Sequence, residues 1–115
     1  MNSVALIGNL ATDVELRELG PEKKVASFLL AVNRAGKDAG ADFVQVCAWD
    51  RQAETCAEYL ARGRRVAVDG YLRSHSWEDE GKRRTAVEVV ARAVQFLDGP
   101  RSEEVTPFEE AAMTA

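Results

Sequence analysis

Apolar and polar side chains alternate with a period of two along most of this chain, which predicts a protein built mainly of strands. Val4, Leu6 and Leu10 alternate with Ala5, Ile7 and Asn9, so residues 2–10 read as a strand with Gly8 as a bend or bulge. LGPEKK at 19–24 is turn chemistry. In KVASFLLAVNR (24–34), Phe28, Leu30 and Val32 share one face, and Ser27, Leu29, Ala31 and Asn33 the other. AGKDAGA at 35–41 is a flexible hairpin loop. In DFVQVCAW (42–49), Val44, Val46 and Ala48 make the core face and Phe43, Gln45, Cys47 and Trp49 the opposite one.

The period then changes. Ala53, Cys56, Ala57 and Leu60 recur at helical spacing, predicting a helix over about 51–62, with Asp50 as N-cap and Gly63 just past its C-terminus. A fourth strand follows over about 64–77, with Val66, Val68 and Leu72 facing the core. EDEGKRR (78–84) is a polar hairpin, and RTAVEVVARAVQFL (84–97) a fifth strand. Three strands, a helix and two strands is the order of an OB-fold, so the predicted class is all-β: a five-stranded Greek-key barrel with one short helix between strands 3 and 4. Residues 1–99 read as one domain. Residues 100–115 read as a short acidic tail, expected to be disordered.

At 115 residues and 46% hydrophobic, the chain suits a single domain with a real core. No signal peptide and no run long enough for a membrane span are visible. Cys47 and Cys56 do not form a zinc spacing, and one histidine supplies no metal cluster. A cytoplasmic, nucleoid-associated protein with no cofactor and no metal is the expectation, its cysteines small buried side chains. Net charge is −4, but residues 1–98 hold 14 Lys+Arg against 15 Asp+Glu, a net of −1. Most of the acidity therefore lies in the tail, and the body is free to carry a basic face.

The non-core faces of two strands carry an oddity: Phe43 and Trp49 on the third, and Tyr71, Arg73, His75 and Trp77 on the fourth. Aromatics on the outside of a barrel lower solubility and therefore meet something. Packing against the helix, a loop or another subunit is one answer, and a protein-binding patch a second. A third is a stacking platform for unpaired bases, with cations between the rings holding phosphates. Arg73 suits that role, with Arg51, Arg62, Lys37 and Arg17 as further candidates. Catalysis has little to stand on: there is no Gly-rich phosphate loop, H-x-E, nucleophile elbow or carboxylate pair. The alternative to nucleic-acid binding is an OB-fold interaction module whose aromatic face binds a protein.

VALIGNLATDVELR (4–17), ASFLLAVNR (26–34), DFVQVCAWDRQAE (42–54), EYLARGRRVAVDGYLRSHSW (58–77) and TAVEVVARAVQFLDG (85–99) stand in order and at family spacing. Through them the chain resembles the bacterial single-stranded DNA-binding protein family, as a short-tailed member. The resemblance implies a homotetramer, a dimer of dimers. Single-stranded DNA wraps around it without sequence preference in replication, repair or recombination. It puts the stacking positions on Phe43, Trp49 and Trp77, and cations at Arg51, Arg62 and Arg73. Gly36 stands where the family often has a tryptophan, and Gln45 where many members have arginine. The family's long linker and acidic tip, which recruits partner enzymes through a final Pro-Phe, have no close counterpart. Phe108 is followed by Glu109, Glu110 and five more residues, so the resemblance does not carry tail-mediated protein partners over to this chain.

Overall fold

β1 (Val4–Leu10) and β2 (Glu15–Gly20) are two halves of one bent strand, and both run antiparallel along β3 (Lys23–Asn33). The end of β1 meets Leu30 and Ala31, while β2 meets Lys23 to Ser27. The structure, a computed structural model, describes residues 1–36 and 40–97. β4 (Ala41–Trp49), α1 (Asp50–Tyr59), β5 (Arg65–Asp79) and β6 (Lys82–Phe96) complete it. Neighbours run β1-β5-β6-β4-β3, and β3 returns to β1, which closes a five-membered ring with β4 and β6 parallel and the other pairs antiparallel. With β1 and β2 counted as one strand, this is the expected OB-fold barrel, its helix in the expected place. The expected tail lies outside the described residues, as does Lys37.

The barrel interior is filled by the faces that alternation selects: Phe28 and Leu30 of β3, Val46 and Ala48 of β4, Val66 and Val68 of β5. α1 and its C-cap residue cover one mouth of the barrel with Ala53, Cys56 and Leu60, spaced three and four apart. Gly8 is where β1 crosses β3: a Cβ there would lie 2.3 Å from the Ala31 carbonyl oxygen. It is a close approach of two backbones within a regular pairing, not a bulge in β1.

Other expectations are corrected. β2 lies in a stretch given no strand, because ELRELG leaves five of its six residues exposed and so shows no buried alternation. The helix N-cap is Trp49, not Asp50. The Asp50 carboxylate instead accepts the backbone N–H of Lys24 at 3.3 Å, with Asp50 in the left-handed region at φ 54. The helix ends at Tyr59, with the Leu60 N–H still donating to the Cys56 carbonyl at 2.9 Å, and beyond that cap the amides are claimed elsewhere: Arg62 N–H by the Asp13 carboxylate at 2.9 Å, Gly63 N–H by the Leu10 carbonyl at 2.8 Å. Leu72 does not face the core and is 46% exposed. β1 accompanies β5 only as far as Gly70. Beyond it β5 and β6 leave the barrel as a two-stranded ribbon, turned at Glu80 and Gly81, both with positive φ.

Candidate nucleic-acid interface

Residues directly opposite in a ladder point to the same side, so the strand register assembles the outer face. Phe43, Gln45, Cys47 and Trp49 of β4 stand opposite Ala31, Leu29, Ser27 and Val25 of β3. Cys47 adjoins Val90 of β6. Val90, Glu88, Ala86 and Arg84 stand opposite Tyr71, Arg73, His75 and Trp77 of β5. The two aromatic rows read from the sequence therefore belong to one sheet surface, joined through β6. A groove of about 570 Å³ runs along it, lined by Trp49, Arg73, His75, Glu88, Gln45 and Arg17 among others.

At its centre Arg73 is held from two sides. Its Nη2 and Nε donate to Oε2 of Glu88 at 2.5 and 3.1 Å, and its guanidinium carbon lies 5.7 Å from the centre of the Trp49 ring. The Glu88 hydrogen bond raises the guanidinium pKa further above its ordinary value. Glu88 is only 12% exposed at its side chain. His75 Nδ1 stands 4.0 Å from the same carboxylate oxygen. Beneath lies the Cys47 thiol, 3.9 Å from Arg73 Nη2 and pushed up to about 11 by burial first and the Glu88 charge second.

The remaining aromatics extend the face at either end. Trp77 stacks on His75 with ring centres 5.4 Å apart and planes 29° apart, and is 46% exposed. Phe43 is 61% exposed farther along β4. Tyr71 carries a guanidinium from a residue that was not among the sequence candidates: Arg92 lies 4.8 Å from its ring centre and donates Nη1–H to the Gly70 carbonyl at 3.2 Å. The register skips Arg92, passing from Ala91 to Ala93 as β5 passes from Gly70 to Asp69. Such a bulge redirects a side chain.

Not every candidate cation reaches the groove. Arg51, in the first turn of α1, lines a separate charged cleft with Glu22, Lys24 and Glu54. Arg62 follows the helix and binds Asp13 through its backbone. Asp13 borders a second depression that shares Glu15, Ser27 and Gln45 with the groove. Glu88 and Arg92 both escaped the sequence reading. A hairpin centred on Glu80 and Gly81 would have set Glu88 opposite Arg73; the bulge at Arg92 leaves no comparable trace.

A closed barrel with exposed rings and cations along one sheet surface defines a class of single-strand nucleic-acid binders. The comparisons with known proteins agree. A profile of the Single-strand binding protein family matches residues 1–97. The chain is 43% identical over 103 residues to single-stranded DNA-binding protein 3 of Clostridium acetobutylicum, covering 85% of this chain and 72% of that one. It is 44% identical over 100 residues to the single-stranded DNA-binding protein of Clostridium perfringens, covering 85% and 67%. With that of Bacillus cereus it shares 43% over 107 residues, covering 89% and 62%. The chain belongs to the single-strand binding protein family, and this membership supports single-stranded DNA binding.

Proposed function

We propose that this protein binds and protects single-stranded DNA without sequence preference, in replication, repair or recombination. The observation that carries the reading is the single surface shared by Phe43, Trp49, Tyr71 and Trp77. Every base has a π-face, so stacking on these rings is worth about 1–3 kcal/mol per base whatever the sequence. Cations around the surface meet the phosphates. The groove itself sets Glu15 and Glu88 against Arg17 and Arg73, so stacking supplies a large share of the affinity. Residues 1–99 form the binding domain in this reading, with 100–115 a short acidic tail.

Self-association as a dimer of dimers completes the proposal. Ala5, Ile7, Ala67 and Ala93, with Asp69 and Gln95 among them, make a mainly apolar outer face on β1, β5 and β6, and among the described residues β1 has no strand beyond it over residues 4–8. A bare edge of this kind favours pairing with another chain. Sedimentation would return the mass of four chains. A cytoplasmic location fits this role, and no helix among the described residues is long and apolar enough to cross a membrane.

The deciding experiment is a fluorescence titration with a dT oligomer of about 35 nucleotides, long enough for several OB sites of roughly 4–16 nucleotides each. Trp49 and Trp77 are the chain's two tryptophans, so binding quenches the emission strongly. A flat signal with no competition by DNA would overturn the reading and point to a protein on this face.

A further inference from the structure

We infer that Arg92 is the principal phosphate-binding cation on the β5–β6 side of this surface, and that Glu88 withholds Arg73 from that role. The inference rests on the DNA-binding reading and goes beyond it, since it assigns the charge contact to a residue outside the expected set.

Arg73 looks like the obvious cation because it stands between Tyr71 and His75 on the aromatic face. Both of its donors to Glu88 converge on one carboxylate oxygen, and that carboxylate is largely shielded from water. To reach a phosphate, Arg73 would have to abandon a shielded negative charge, which is strongly unfavourable. A phosphate arriving beside the intact pair would also face Glu88. The pair presents little net charge and acts on the Trp49 ring, against which it holds the guanidinium.

Arg92 is placed differently. The bulge takes it out of the β5–β6 ladder, and the Gln52 side chain anchors its carbonyl at 3.0 Å. Its guanidinium spends one hydrogen bond on the Gly70 carbonyl and lies on Tyr71. No carboxylate pairs with it among the described residues, and it is exposed. A guanidinium supported on a ring keeps the donors along its edge in a fixed fork, the geometry that fits two phosphate oxygens. Tyr71 thus holds the cation beside the groove, two residues along β5 from Arg73.

The test is the salt dependence of dT oligomer binding for the full-length protein and four variants, Arg92→Gln, Arg92→Lys, Arg73→Gln and Glu88→Gln. Each lost phosphate contact flattens the slope of log K against log salt by about 0.7. Arg92→Gln is expected to flatten it by about that much, with affinity falling several-fold at low salt. Arg92→Lys keeps the slope. Arg73→Gln leaves the slope in place, while Glu88→Gln releases Arg73 and steepens it by about 0.7. A melting curve for each variant accompanies the titrations. If Arg92→Gln lowered the melting temperature and weakened binding equally at every salt, Arg92 would only be bracing the bulge, and the inference would fall. It would fall equally if Arg73→Gln flattened the slope and Arg92→Gln did not. Absence of binding by the unmodified protein would instead remove the DNA-binding reading itself.

Discussion

β5 and β6 are the same pair of strands doing two jobs, and the boundary is Gly70. On the barrel side, Val66, Val68 and Gly70 are buried, with β1 on one flank and β6 on the other. On the ribbon side, Leu72 to Asp79 are all exposed, and β6 is the one strand neighbour among the described residues. The Asn2 side chain extends the support by one rung, its amide donating to the Leu72 carbonyl and its carbonyl accepting Leu72 N–H, both at 2.8 Å. A two-stranded ribbon is marginal by itself, so it is held at its root. Because its side chains contribute little burial, they are free to present rings and charges to a ligand. Changes on the barrel side should therefore act on stability, and changes on the ribbon side on binding.

The largest effect expected under this division is at Phe28, fully enclosed in the barrel. Phe28→Ala should destabilise the protein by about 3–5 kcal/mol in a denaturant titration, whereas Trp77→Ala should stay within about 0.5 kcal/mol. Comparable losses would show that the ribbon folds as part of the core. Gly70 tests the boundary. A Cβ there would sit 2.0 Å from the Val90 carbonyl oxygen and 2.9 Å from its carbon, both backbone atoms. Gly70→Ala should cost about 1–3 kcal/mol or more. An alanine accommodated without loss would mean the two backbones can part at the root.

Binding responds to the opposite set. Trp49→Ala and Trp77→Ala should each weaken dT binding by about 1–3 kcal/mol while leaving the salt slope nearly unchanged. Trp49 should cost more, because its loss also removes the ring beneath Arg73, while Trp77 touches His75. Equal changes in slope for the tryptophan variants and Arg92→Gln would dissolve the distinction between stacking and charge.

What could be read from the sequence follows the same boundary. Period-two alternation located the core faces of β3, β4 and the barrel half of β5, and it placed Phe43 and Trp49 with Tyr71, Arg73, His75 and Trp77 on outward faces. It failed at Leu72, because alternation gives the side of a strand but not whether anything covers that side. It failed at β2 for the converse reason: a strand exposed on nearly all residues leaves no apolar signature. The helix end escaped because backbone amides of 62 and 63 are claimed by Asp13 and by Leu10 at the end of β1, a contact across about fifty residues. Glu88 carries no signal of its own in the alternation, and only the hairpin register puts it opposite Arg73.

The smallest expected effect compares two buried thiols, one in the barrel core and one at the floor of the binding groove. Cys56 lies on the buried face of α1 and Cys47 on the groove floor, and both are buried. Burial pushes each up to about 11 from 9.0. The raised value favours the neutral thiol, so at pH 8 the reactive thiolate is about a thousandth of each rather than about a tenth. Native protein should react slowly with an aromatic disulfide reagent, and unfolded protein quickly at both positions. Peptide mapping by mass spectrometry separates them. Saturating dT oligomer should slow Cys47 by a further few-fold and leave Cys56 alone, because a base over Trp49 closes the route to the groove floor. Trp49→Ala should reverse the sign at Cys47, opening that route without touching the helix. If DNA slowed both cysteines alike, it would be tightening the whole barrel, and the floor of the groove would not be where the strand lies.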